Sequence, residues 1–273
     1  MIDLTFALYY ALLGAGVGFI AGLVGVGGGG LTVPAFTLFF TAQGIADQEV
    51  VHLALGTSMA AMIFTTFSSM RAHQRKGHIN RPLAIKMVIG VTAGTLLATT
   101  IAAEVDGILL ALFFSIFMLY VAFKMFQSKP VQPNANLHST AGNIGVGGVI
   151  GTVSALVSVS GAGMIVPYLI GQNVAVKHAV GTSAAIGFPL AVTGALGYLI
   201  NGWEHTATAE LTLGYIYLPA VVIFSITSYL CAPIGVACAA HLPAAHLKKA
   251  LGILSLLLSV KMLAHVATLS GWI

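Results

Sequence analysis

The sequence predicts an all-α polytopic membrane protein made of two inverted repeats. Each repeat has a Gly-rich broken or re-entrant first element followed by three long transmembrane helices, roughly 8 to 10 membrane segments in all. Three observations lead there. Only 11 basic and 7 acidic side chains occur in 273 residues, 7% of the chain, where soluble domains carry roughly 25%. Fifty-eight per cent of the residues are hydrophobic and the mean hydropathy is +0.99, so no globule of this size could bury its apolar surface and keep a soluble exterior. Finally, the apolar runs repeat one rhythm in two halves.

That rhythm follows from runs near the ~20 residues that cross a bilayer. The first half offers 4–26, a short 31–40, 51–70, 82–103 and 108–126; the second offers 142–159, a short 164–171, 179–200, 211–240 and 247–269. Each half reads long, short, long, long, long. Residues 1–127 form the predicted first repeat, 128–141 a polar cytoplasmic linker, and 142–273 the second repeat. Near the start, Asp3 stands where a cleavable leader would carry basic residues, so the first helix is expected to stay. Cys231 and Cys238 both fall in an apolar run, which excludes a disulfide scaffold and leaves the compartment open.

Self-similarity sharpens the repeat. GLVGVGGGGLTVP from Gly22 returns as ALVSVSGAGMIVP from Ala155, pairing Gly28 with Gly161, Gly30 with Gly163 and Pro34 with Pro167. LALGTSMAA from Leu53 returns as HAVGTSAAI from His178, and at the offset of that second block Gly77 pairs with Gly202.

Charge placement tests the parity of each half, because an odd number of elements inverts the second copy. Counting the long and short segments as two elements gives five. With Arg71, Arg75, Lys76, Arg81 and Lys86 in the cytoplasm, Lys124, Lys129, Lys177, Lys248 and Lys249 then also fall inside. Asp3, Asp47, Glu49, Glu104, Asp106, Glu204 and Glu210 fall outside, as the positive-inside rule asks. Both termini are expected outside, and the 71–81 loop and central linker inside, in an inner or plasma membrane. A re-entrant hairpin gives the same parity, and charges alone do not separate it from two full crossings. The 31–40 segment spans only about 15 Å as a helix, which favours a partial element, shielded by protein or facing a watery cavity.

The chemistry-bearing residues cluster at the breaks. Four successive glycines before Val33-Pro34 cannot sustain a good helix, and the second copy repeats the break with Ser158 and Ser160. Backbone N–H groups at the start of the following half-helix make a positive pocket for an anion. The candidate substrate-binding residues are Gly28, Gly29, Gly30, Thr57, Ser58, Ser160, Gly161, Gly163, Thr182 and Ser183. Close helix packing is the plainer reading of the glycines, and capping that of the hydroxyls. His52 and His178, just before the two Gly-Thr-Ser triplets, are candidates for proton coupling. Lys261 is the one base well inside a predicted span, where it snorkels or, with His265, offers a second site. GVGGGG is no phosphate loop, because no strand precedes it and no Lys-Ser or Lys-Thr closes it. Neither a metalloprotease HExxH nor a nucleophile-elbow GxSxG occurs, so no enzyme, cofactor or metal site is expected. No carboxylate lies inside a span, which disfavours a cation as cargo. The expected partners are a small anionic substrate and the lipid bilayer, with a homo-oligomer open and no nucleic acid.

The doubled Gly-rich block with its Val-Pro, together with the paired Gly-Thr-Ser triplets, resembles the TauE/SafE family of sulfite and sulfonate exporters over essentially the whole chain. The second copy departs from the family's triple glycine with Ser160-Gly161-Ala162-Gly163. The resemblance implies a transporter of sulfur-containing anions such as sulfite, sulfonate, sulfoacetate or thiosulfate, often outward. Sulfur comes from the resemblance alone; an anion channel and a non-transport assembly or sensing factor are the alternatives.

Overall fold

The computed structural model describes residues 4–24, 29–45, 47–127, 139–203, 211–239 and 244–269. Among the described residues the first half contains α1 (Leu4–Val24), α2 (Gly29–Ala42), α3 (Asp47–Arg75), α4 (Arg81–Glu104) and α5 (Gly107–Gln127). The second contains α6 (Thr140–Leu156), α7 (Ala162–Gly171), α8 (Val176–Asn201), a short hairpin of β1 (Thr212–Leu213) and β2 (Ile216–Tyr217), α9 (Leu218–Ala239) and α10 (Ala244–Leu269). Six of the helices, α1, α3, α4, α5, α8 and α9, hold stretches long and apolar enough to cross a membrane. The surface is inverted relative to a soluble protein. Leu8, Ile89, Leu97, Ile116, Phe123, Ile226, Leu230 and Leu257 are exposed, while Thr57, Thr95, Ser115, Thr182 and Ser259 are buried. Such a belt is stable only against lipid, and the chain is a multi-pass membrane protein.

Two expected boundaries move. The predicted run from Leu211 begins as β-hairpin, turning at Gly214 with φ 54°, and α9 starts at Leu218, where Pro219 occupies the first turn and needs no N–H partner. Likewise α6 begins at Thr140, inside the predicted linker, because the Ser139 hydroxyl caps it by accepting from the Gly142 N–H at 3.1 Å. The rest of the linker, residues 128–138, lies outside the described residues.

The short second helix of each half doubles back along the first. Tyr10, early in α1, packs its ring on Phe36, Phe39 and Phe40 of α2, and its hydroxyl accepts from the Gln43 amide at the end of that helix, 2.5 Å away. In the second half Asn143 Oδ1, early in α6, accepts from Gln172 Nε2 at the end of α7, 3.0 Å away, and from the Tyr168 hydroxyl. Gln43 and Gln172 each precede a left-handed residue, Gly44 with φ 77° and Asn173 with φ 62°. The following amides, of Ile45 and Val174, return to Phe40 and Leu169 carbonyls, so both helices end in a Schellman motif. α2 has 14 residues and α7 has 10. The difference is about one helical turn, which keeps the buried faces in step.

α3 and α8 cross at the centre and run antiparallel: Met59 meets Gly194, and Phe67 meets Phe188. The outer pairings are reciprocal between halves, with α1 on α9 and α6 on α4, while α5 packs on α10. Small residues spaced four apart permit both close approaches. A Cβ on Gly18 would strike the Ser228 backbone, and one on Gly94 the Gly148 backbone. Substituting leucine at Gly18 or Gly94 is expected to lower the detergent melting temperature of the purified protein by several degrees, since overpacking costs about 1–3 kcal/mol. Leucine at Gly16 or Gly145, where a Cβ meets nothing within 4 Å, should leave it within a degree or two of the unaltered chain.

Candidate functional site

The break in the second hairpin lies in the interior and is described throughout. α6 closes with Ser158 in the left-handed region, φ 46°, while the Val159 N–H returns to the Ser154 carbonyl at 3.0 Å. The Ser158 hydroxyl donates to the Leu55 carbonyl in α3 at 2.8 Å, and the Tyr198 hydroxyl of α8 donates to the Ala155 carbonyl at 3.0 Å. The Ala155 carbonyl near the end of α6 is thus met by α8, and the Ser158 hydroxyl ties the break to α3 of the first half. Gly161, φ 71°, then caps α7 with no side-chain hydrogen bond. The two hairpins touch here: a Cβ on Gly30 would lie 3.7 Å from Val159 Cγ2 and 3.0 Å from Met118 Cε. Gly28 lies outside the described residues, and Gly29 opens α2.

The Gly-Thr-Ser triplets hold the opposite half. The Tyr217 N–H donates to Thr57 Oγ1 at 3.0 Å, and the Asn80 N–H donates to Thr182 Oγ1 at 2.9 Å. A Cβ on Gly56 would strike the Tyr215 carbonyl, and one on Gly181 the His78 carbonyl. The loops that lie on the triplets share Gly-x-Ile-x-x-Pro, from Gly77 to Pro82 and from Gly214 to Pro219. Both glycines are left-handed, with φ 69° and 54°. Gly77 therefore matches Gly214 rather than Gly202, whose φ is −89°. The second half carries extra residues before its loop, which is why a constant offset picks the wrong glycine. These two reciprocal contacts form a clasp at each end of the α3–α8 pair, and sequence reasoning missed the loops that make them. The shared Gly-x-Ile-x-x-Pro was the available signal.

A ring pair sits over each clasp. His52 stacks on Tyr215 with centroids 5.0 Å apart, and His178 meets His78 edge-on at 5.8 Å. His52 is buried, its Nε2 2.9 Å from the Ala102 carbonyl and 3.0 Å from that of Val105, so this nitrogen carries the proton and donates to the end of α4. Burial, then the nearby Glu49 and Glu104 carboxylates, pushes the Tyr215 phenol above its ordinary value and keeps it neutral. His178 is half-buried, in a row with His78 and His73, whose rings are 5.9 Å apart. Lys261 is exposed.

The third residue of each triplet faces its own half. Ser58 is hydrogen-bonded to Thr32 of α2, both buried, whereas the Ser183 hydroxyl is buried without a partner. By the antiparallel register of α3 and α8, Ser58 and Ser183 stand roughly 18 Å apart along the pair at 1.5 Å per residue, so the triplets do not share one pocket. Ser154 and Ser160 are likewise buried and unpartnered. Ser160 lies against Gly187 of α8, one turn beyond Ser183. Gly163 is exposed, with open space where a Cβ would stand. Ser160, Gly161 and Ser183 therefore gather at the second break with Ser154, a residue the sequence reading passed over. Thr57 and Thr182 sit at opposite clasps, with His52 and His178 above them.

The fold and this site define a helical membrane protein whose two halves each contribute a broken hairpin. The family model described as sulfite exporter TauE/SafE matches residues 10–262, and the chain belongs to that family. A "probable membrane transporter protein" of Haemophilus influenzae is 30% identical, the match covering 94% of this chain and 98% of that one. "Probable membrane transporter protein YdhB" of Bacillus subtilis is 27% identical over 68% of this chain and 76% of its own. A similarly named protein of Methanocaldococcus jannaschii is 26% identical over 79% of each chain. No solved structure matches the chain at a significant level.

The clasps are separable by hydrogen exchange. Thr57→Val keeps the shape and removes the acceptor, stranding a buried N–H at a cost of about 1–3 kcal/mol. Exchange should accelerate by roughly tenfold or more around Ile216-Tyr217 and stay unchanged around Asn80. Thr182→Val should do the converse, and equal acceleration at both loops in either variant would show that the clasps are not independent.

Proposed function

We propose that this chain is a transporter rather than an enzyme, and that it moves small anions across the cell membrane, with sulfur-containing oxyanions such as sulfite, sulfonates, sulfoacetate or thiosulfate as the cargo class. The observation that carries the reading is the pair of reciprocal clasps at opposite ends of α3 and α8, with a helix break between them. Two halves related in this way, inverted across the membrane, support two alternate arrangements on either side of the one described, in which both clasps are closed. In one the Gly77–Pro82 clasp is open, in the other the Gly214–Pro219 clasp, and the breaks face alternate sides. Following the charge pattern, the Gly77 clasp is cytoplasmic and the Gly214 clasp external.

The anion preference rests on what surrounds the breaks. Hydroxyls and backbone N–H groups are donors aimed at the interior, and the described carboxylates Glu49, Glu104 and Asp106 stand at helix ends. The names of the relatives support transport, and the family description points to sulfite. Export as the direction follows the family. His52 and His178, each with its ring over a clasp loop, are the candidates for coupling clasp opening to protons.

Purified protein in liposomes should show saturable uptake of radiolabelled sulfite, accelerated several-fold by the same anion preloaded on the other side. Conductance without exchange would replace the carrier by a channel. Absence of both, with correctly inserted protein, would favour the assembly or sensing role.

A further inference from the structure

The two breaks are not chemically equal. Around the second, Ser154, Ser160 and Ser183 are 0%, 3% and 2% exposed, and none of their hydroxyls has a hydrogen-bond partner. The repeat register places Ala21, Gly27 and Ser58 at the matching positions of the first half. There Ser58 is already bonded to Thr32, whose own counterpart is Ile165. Three unmet donors on one break, with none at the matching positions of the other, make the halves chemically different, and each orphaned hydroxyl is expensive to leave buried. Their placement is convergent. Ser154 Oγ is 3.1 Å from the point where a Cβ of Gly161 would stand, so it faces the uncapped start of α7. Ser160 immediately precedes that glycine, and Ser183 lies on the α8 face that meets Ser160 at Gly187.

We infer that Ser154, Ser160 and Ser183, with the first amides of α7, form an oxyanion site in the second half alone, and that it takes a singly charged oxyanion in preference to a doubly charged one of the same size. The inference narrows the proposed cargo to its singly charged members, bisulfite and simple monosulfonates, over the doubly charged sulfoacetate and thiosulfate, and it rests on the transport reading for the role of the site, though not for its chemistry. Three hydroxyl donors match an anion that presents three oxygens. All three are neutral, and a helix start contributes only about half a positive charge. The desolvation cost of an ion grows with the square of its charge, so dipoles that repay a monoanion fall short for a dianion. The nearest basic groups on α8, Lys177 and His178, stand in its first turn, where Lys177 is exposed and His178 meets His78. Gly161 is required twice, for its left-handed φ of 71° and for the space its missing Cβ leaves beside Ser154.

The probes are methanesulfonate and sulfate, close in size and differing in charge, titrated calorimetrically into purified full-length protein in nanodiscs. Methanesulfonate should bind at least tenfold more tightly than sulfate. Ser160→Ala and Ser183→Ala should each weaken it about tenfold, one hydrogen bond or ~1.4 kcal/mol. Ser58→Ala, in the half whose hydroxyl is already paired, should change it less than twofold. Ser160→Gly supplies the residue the first half carries and serves if the alanine variant does not fold. Equal or tighter sulfate binding, no binding of either anion, or a Ser58→Ala loss as large as that of Ser183→Ala would overturn the site. Predicted binding without liposome flux would instead leave the site standing and sink the transport reading, while flux of another anion without methanesulfonate binding would do the reverse.

Discussion

A helix that stops inside a membrane strands backbone N–H and C=O groups where no water can reach them, and the rest of this structure follows from how those groups are satisfied. Here the break is tied into the neighbouring helices, and the loops at the ends of α3 and α8 are tied across the halves. Ser158 reaches the Leu55 carbonyl of the first half, and Tyr198 returns to Ala155 from within the second. Thr57 and Thr182 each receive an amide from the loop of the other half. Each half therefore supplies hydrogen-bonding groups to the other.

Glycine makes this lending possible at two scales. Along α1 with α9 and α4 with α6 it lets backbones approach closely enough to bring the halves into contact. In the triplets, Gly56 and Gly181 admit a carbonyl of the opposing loop where any side chain would collide, and the neighbouring threonine receives the amide two residues on. One hydrogen bond of this kind contributes about 0.5–1.5 kcal/mol. That is strong enough to hold a clasp and weak enough to exchange it, the energy scale a two-state element needs if substrate and proton are to bias it.

Much of the architecture was legible in residues. The five-element rhythm corresponds to the helices α1–α5 and α6–α10 and the Gly-Thr-Ser triplets lie in α3 and α8, while the first Gly-rich block lies partly outside the described residues. Four things were not legible, for different reasons. Gln43 and Gln172 tie each hairpin shut, yet a lone glutamine before Gly-Ile or Asn-Val carries no signal until Tyr10 and Asn143 are seen beside it. Gly77 was matched to Gly202 because a fixed offset ignores the longer loop before Gly214, and only the sign of φ separates the two. The triplet hydroxyls divide into clasp and break positions because partners come from more than a hundred residues away for Thr57 and Thr182. Local spacing has no access to that. Ser154 escaped for the opposite reason, since a serine inside a small-residue helix looks like packing until its hydroxyl is found without a partner.

The central claim, that the halves clasp each other from opposite faces of the membrane, is tested most directly by sidedness. Lys76 and Leu211 are both exposed, each close to one clasp loop. In a background with Cys231 and Cys238 replaced by alanine, single cysteines at these positions would be treated with a membrane-impermeant thiol reagent in intact and in opened cells. Labelling of Leu211→Cys in intact cells, with Lys76→Cys labelled only after opening, is the expected result. Labelling of both from the same side would place the two clasps on one face and contradict the account.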